Sequence, residues 1–137
     1  MKSRQLPILL AIISLVAASL ACAVGGELSL SNARTSSDQD GKQVTSTFSP
    51  TDTVYVVADL SNAPLGTVVT SKWFALDVAG MEPNELIDQG DINVNEDNFS
   101  GTVYFFFPPS TPWPSGTYAV ELYLNGALTT SVTFSVP

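Results

Sequence analysis

Tyr118-Ala119-Val120-Glu121-Leu122-Tyr123-Leu124-Asn125-Gly126-Ala127-Leu128-Thr129-Thr130-Ser131-Val132-Thr133-Phe134-Ser135-Val136 is the stretch on which the fold turns. In its first half Tyr118, Val120, Leu122 and Leu124 alternate with Ala119, Glu121 and Tyr123. In its second half Leu128, Val132, Phe134 and Val136 alternate with Thr129, Ser131, Thr133 and Ser135. A period of two with one apolar face describes a strand with one side on a core and the other in water. Cross-strand partners must share a face, so their numbers must sum to an even value. A two-residue Asn125-Gly126 loop pairs Leu122 with Thr129 and breaks that rule. The expectation is therefore a three-residue loop, Leu124-Asn125-Gly126, with Gly126 left-handed in a bulge.

Working toward the N-terminus, apolar runs rich in Val, Thr, Tyr and Phe recur between turn residues such as Ser49-Pro50-Thr51-Asp52. The strand candidates are Glu27–Asn32, Val44–Phe48, Val54–Leu60, Val68–Asp77, Ile87–Val94, Thr102–Phe107, Thr117–Leu124 and Leu128–Val136. Apart from the N-terminal leader, no window holds a helical period. Seven or eight short strands at this spacing predict an all-β antiparallel sandwich, with a barrel as the alternative.

The chain has 137 residues, enough for one domain, and 45% of them are apolar. It has no histidine and a formal net charge of −8. Without Lys2 and Arg4, 13 acidic residues face three basic ones, a net of −10. Such a charge repels phosphate backbones, so nucleic acid is not an expected partner.

Met1–Arg4 is short and basic, and Leu6–Ala21 is an apolar run. Together they read as the n- and h-regions of a secretory signal, residues 1–21. The run is short for a permanent span of a bilayer core about 30 Å thick. Ala18-Ser19-Leu20-Ala21-Cys22 resembles the lipobox of bacterial lipoproteins, where the cysteine is acylated and becomes the first residue after cleavage. Cys22 is the only cysteine, so no intramolecular disulfide can use it. The pattern departs from the family in placing Ser19, not leucine, three before Cys22. The competing reading is ordinary cleavage after Ala21 or Ala23. Residues 22–26 then form the lipidated cysteine with a short glycine-bearing tether, and 27–137 the domain. The implied localisation is the outer side of a bacterial membrane, held through the N-terminal lipid.

Pro114-Ser115-Gly116-Thr117-Tyr118 resembles the corner before the sixth strand of immunoglobulin-like domains, where a tyrosine hydroxyl bonds back to nearby backbone. Trp73, inside Val68–Asp77, resembles the tryptophan that fills such cores. The intersheet cysteines are missing, and Val120 stands where the second would be. With Phe48-Ser49-Pro50 and the Trp113–Tyr118 segment, the region 27–137 is similar to poorly characterised bacterial lipoproteins with one immunoglobulin-like domain. That resemblance implies a binding or structural role in the envelope rather than a reaction. Trp73, Tyr118 and Gly126 are its expected structural residues.

Nucleophilic catalysis lacks a histidine base, and Ser71 beside Lys72 would point to opposite faces of a strand. No cofactor is expected. A carboxylate-based hydrolase of an envelope polymer is the alternative function, because acids are plentiful; a third is a periplasmic assembly subunit that uses an exposed strand edge for augmentation, which a long unpaired edge strand would favour. Asp91, Asn93 and Asn95 have the first spacings of an EF-hand loop, but Glu96 occupies the glycine position and Thr102 the final glutamate position. Only Glu96 and Asp97 stay as weak metal candidates. Tyr104-Phe105-Phe106-Phe107 carries aromatics on both faces of one strand, and Trp113 follows between Pro112 and Pro114. Tyr104, Phe105, Phe107 and Trp113 are the candidate surface for an envelope protein or glycan. The competing expectation is that the Ser110–Ser115 loop or residues 31–47 cover this strand on both sides.

Overall fold

In the computed structural model, which describes residues 26–137, the alternating segments pair into two antiparallel sheets. The strands are β1 (Ser29–Ser36), β2 (Val54–Ala63), β3 (Val68–Val78), β4 (Glu85–Asn93), β5 (Phe99–Phe107), β6 (Gly116–Leu124) and β7 (Ala127–Val136). Sheet A has the order β1-β2-β5 and sheet B the order β4-β3-β6-β7. This is an immunoglobulin-like β-sandwich. In the constant-type arrangement the fourth strand joins the sheet of the first two; here β4 joins β3, leaving sheet A one strand shorter than sheet B. The stretch read as a signal, Cys22 and most of the expected tether lie outside the described residues.

The core follows from the period. Val54, Val56, Ala58 and Leu60 of β2 face Val69, Trp73 and Ala75 of β3 and Tyr118, Val120 and Leu122 of β6, all buried. Phe134 is the hub, with ring centroids 5.0 Å from Tyr118, 5.6 Å from Phe48 and Trp113, and 6.2 Å from Trp73. Full burial of each such side chain contributes about 1.5–3 kcal/mol. Trp73 is 1% exposed, and its indole N–H donates to Ser71 Oγ at 3.0 Å, so its polar atom is not stranded. The Tyr118 hydroxyl donates to the Pro114 carbonyl at 2.6 Å, which is the expected tyrosine corner.

The β6–β7 hairpin corrects the loop expectation. Leu124 pairs with Ala127, so Asn125-Gly126 is a two-residue turn, with φ values of 49° and 85°. Both residues are left-handed, as a type I′ turn requires. Facial parity is restored inside the strand instead: the register passes from Tyr123↔Leu128 to Leu122↔Thr130, leaving Thr129 as an extra residue. Leu128, expected on the core side, is thereby turned outward beside Tyr123 and is exposed.

Val44–Phe48 is the other correction. It forms no regular strand, only isolated bridges from Val44 to Ser36 and from Thr47 to Ser135. Phe48 N–H donates to the Ser135 carbonyl at 3.0 Å, and Ser135 N–H donates to the Ser46 carbonyl at 2.8 Å. The segment thus caps part of the free edge of β7 while seating Phe48 in the core.

Candidate binding surface

Register decides the fate of the aromatic run. β5 pairs with β2 as Val57↔Tyr104, Val56↔Phe105, Tyr55↔Phe106 and Val54↔Phe107. Val54 and Val56 are core residues, so Phe105 and Phe107 turn inward and pack against the core, half-buried. Phe107 lies 5.7 Å from Trp73 and 4.8 Å from Trp113 between ring centroids. Tyr104 and Phe106 turn outward, 39% and 54% exposed.

Trp113 belongs to the interior. It is 6% exposed, its indole N–H donates to the Asp52 carbonyl at 3.0 Å, and its backbone N–H donates to the Pro50 carbonyl at 2.7 Å. It pins the 108–115 loop to the 49–53 turn and closes that end of the sandwich. Of the four candidate surface residues, only Tyr104 stands on an open face. The loop covers Phe107 at the end of β5 and leaves the outer side of the strand bare.

Two residues complete that bare surface. Tyr55 and Phe106 stack at 6.1 Å with a 30° interplanar angle, and Tyr104 lies 6.2 Å from Phe106 and 6.3 Å from Tyr55. Tyr55, Tyr104 and Phe106 thus form a shallow aromatic platform on the outer face of sheet A. Phe106 was legible in the run Tyr104–Phe107; Tyr55 was not, because only strand pairing brings it there.

The platform has a wall. Asp38 accepts hydrogen bonds from Gln43 N–H at 2.9 Å and Lys42 N–H at 3.2 Å. The Gln43 donor foremost holds its carboxyl below the usual range. Arg34 Nε donates to the Gly41 carbonyl at 2.9 Å and Nη1 pairs with Asp59 at 3.5 Å. A β-carbon on Gly41 would lie 2.7 Å from the Arg34 guanidinium and 2.8 Å from Val57, and Gly41 has φ 70°. The 38–43 loop is therefore laid flat over Val57, which points outward yet is fully buried. Cover ends there, and the aromatic trio begins.

Glu96 and Asp97 are exposed in the turn between β4 and β5, and among the described residues no three His, Cys, Asp or Glu side chains cluster as a metal site would need. Five clefts indent the described surface. Glu96, Glu121 and Asp88 each line a different one, and the other two have no carboxylate. No pair of acids meets across them as glycoside hydrolysis requires.

No protein-family model matches the chain, and no curated protein does. Among solved structures it is similar to an immunoglobulin-like protein from Pseudomonas aeruginosa, with TM-score 0.54 and 10% identity over 84% of this chain and 100% of that one. It is also similar to part of a β-glucosidase from Listeria innocua, at TM-score 0.52 and 11% identity, covering 80% of this chain and 16% of that one. A third likeness is to an alkylpurine DNA glycosylase from Pseudomonas fluorescens, at TM-score 0.50 and 12% identity, covering 82% of this chain and 31% of that one. The chain spans a minor share of both enzymes. At these identities the likenesses establish the immunoglobulin-like sandwich and nothing about chemistry.

Proposed function

We propose that the protein is a non-catalytic binding module of the bacterial envelope, held to the outer side of a membrane through acylated Cys22, with the Tyr55–Tyr104–Phe106 platform as its contact surface. The single observation that carries the binding role is the exposure of Tyr104 and Phe106 beside the half-buried Tyr55 ring. A solvated sheet face is ordinarily polar, and contiguous exposed aromatics mark interaction sites. Support for anchoring comes from the sequence: a basic start, an apolar run and one cysteine at its end. Two acyl chains at that cysteine would suffice for stable attachment. The hydrolase alternative gains no support, since the acids lining these five clefts do not converge.

The test compares the full chain with the Tyr55→Ser/Phe106→Ser variant for retention of solubilised envelope proteins and of envelope glycan. Loss of one retained class in the variant, which keeps a cooperative thermal unfolding transition, is the expected result; equal retention by both proteins rejects the platform. Anchoring has a separate readout. Labelled palmitate should enter the wild type and not Cys22→Ala, and label in both or neither rejects lipidation.

A further inference from the structure

A sandwich of two sheets has four edge strands, and unpaired edges invite further pairing unless blunted. Three are blunted here. β1 carries Arg34 and is overlaid by the 38–43 loop. β7 is bridged by Ser46–Phe48 near one end and bulged at Thr129 near the other. β4 bears Glu85, Asp88 and Asp91. β5, Phe-Ser-Gly-Thr-Val-Tyr-Phe-Phe-Phe, has no charge and no proline in nine residues, and it pairs only with β2.

The missing fourth strand of sheet A falls beside this edge. β1 and β7 meet on one side of the sandwich, so β5 and β4 share the other. There Ser71, Trp73, Asp88, Gly90 and Ile92 line a groove of about 240 Å³ together with Tyr104–Phe106. Ser71 pairs with Gly90 and Trp73 with Asp88. Both β3 partners face the core, so Gly90 and Asp88 turn toward the same side, with no strand of sheet A opposite. Gly90 keeps the groove open, its missing β-carbon 3.9 Å from Phe105. Asp88 is exposed there, and Arg34–Asp59 is the one ion pair among the described residues, so Asp88 faces the groove without a cationic partner.

We infer that the free edge of β5 receives an extended segment of a partner protein by strand addition, with a Lys or Arg side chain entering the groove to meet Asp88. The added strand makes sheet A four-stranded and covers the inward face of β4. Backbone hydrogen bonds supply the affinity, alternate side chains the specificity. Its inward side chains meet Ile92, Gly90 and Asp88, which calls for apolar or small residues around one cation. Its outward side chains extend the aromatic platform. A second copy of this chain is the poorer occupant: each copy carries a net charge of −8 and would bring its own Asp88 to the junction.

This rests on the binding-module reading and names its partner class. The test uses the full chain in detergent with the capped heptapeptide Thr-Val-Thr-Lys-Thr-Val-Thr and the same peptide with Glu at its centre. The lysine peptide should bind at least tenfold more tightly than the glutamate peptide, and Asp88→Lys should reverse that order. N-methylation of alternate amides should abolish binding in one of the two possible phases, because only one set of N–H groups faces β5. Equal binding of both peptides, no reversal in Asp88→Lys, or full binding by both N-methylated forms overturns the inference. So does a sedimentation mass of two copies that returns to one in Thr102→Lys, since the edge would then belong to a second copy. Envelope retention lost in Tyr55→Ser/Phe106→Ser while the peptides fail to discriminate would reject the edge and leave the platform standing.

Discussion

The two outer faces of the sandwich obey the same alternation, and their aromatic rings are engaged differently. On sheet B, Lys72 Nζ sits 4.6 Å above the Tyr123 ring, the Tyr123 hydroxyl donates to Glu121 at 2.7 Å, and Thr70 donates to Asp91 at 2.7 Å. Tyr123 is thus engaged by neighbours on its own sheet, while Phe74 shares that face with the exposed Leu86, and Leu128 is exposed beside Tyr123. On sheet A the rings of Tyr55, Tyr104 and Phe106 meet one another and water. A ring held by a cation and a carboxylate has less to offer a partner, whereas exposed rings still have free energy to gain from burial. Period two says which residues point outward and nothing about what they do once there.

The two faces depend on one core, so the largest effect should come from breaking what they share. Phe134→Ala removes the ring on which Phe48, Trp73, Trp113 and Tyr118 converge, and thermal unfolding should show a loss of about 3–5 kcal/mol. A deletion costing under 1 kcal/mol would mean that the sheets do not pack through this cluster. Gly41→Ala should act on sheet A alone. Its β-carbon would collide with Arg34 and Val57 from a left-handed backbone, costing about 1–3 kcal/mol in urea unfolding and leaving the Lys72–Tyr123 contact intact. Tyr118→Phe strands the Pro114 carbonyl and should cost about 1 kcal/mol, read from the same unfolding curves.

Smaller still is the effect of blanking the aromatic face. Phe106→Thr exchanges an exposed ring for a good strand former and should change stability by about 0.2–1 kcal/mol, the worth of a cross-strand aromatic pair. A larger loss would place the platform among the structural residues rather than the binding ones. The smallest effect is on the wall beside it. Asp38 has a lowered folded-state pKa, so its contribution is present above the titration of an unfolded aspartate, about 3.9, and is lost as pH falls through the lower folded value. Amide exchange at Lys42 and Gln43 should therefore accelerate below about pH 4, relative to amides of β6, while the sheets persist. Uniform acceleration at all sites would contradict a local latch.

Much of the architecture was legible before any pairing was known. Trp73 is buried in the core and the Tyr118 hydroxyl bonds back to Pro114, whereas Gly126 is left-handed in a two-residue turn and not in the bulge that its local pattern implied. Seven of the eight strand candidates correspond to β1–β7, with ends shifted by a few residues where pairing extends a ladder. The candidate surface was less legible. Trp113 between two prolines reads as an exposed loop residue, but its indole N–H finds the Asp52 carbonyl 61 residues away, a contact no local pattern announces. Tyr55 carries no signal of its own until the register sets it against Phe106.

Alternation, turn residues and acidic composition thus determined an all-β chain with one oily face per strand, because side-chain direction in a strand is set by covalent geometry and local sterics. The lone cysteine after an apolar run is likewise a property of the sequence. Tertiary structure alone decided that a bulge at Thr129, not a longer loop, reconciles β6 with β7. It also decided that β4 joins sheet B and that Tyr55 joins the aromatic platform. These are outcomes of long-range pairing, in which alternatives with the same local pattern differ only in how well two distant faces fit.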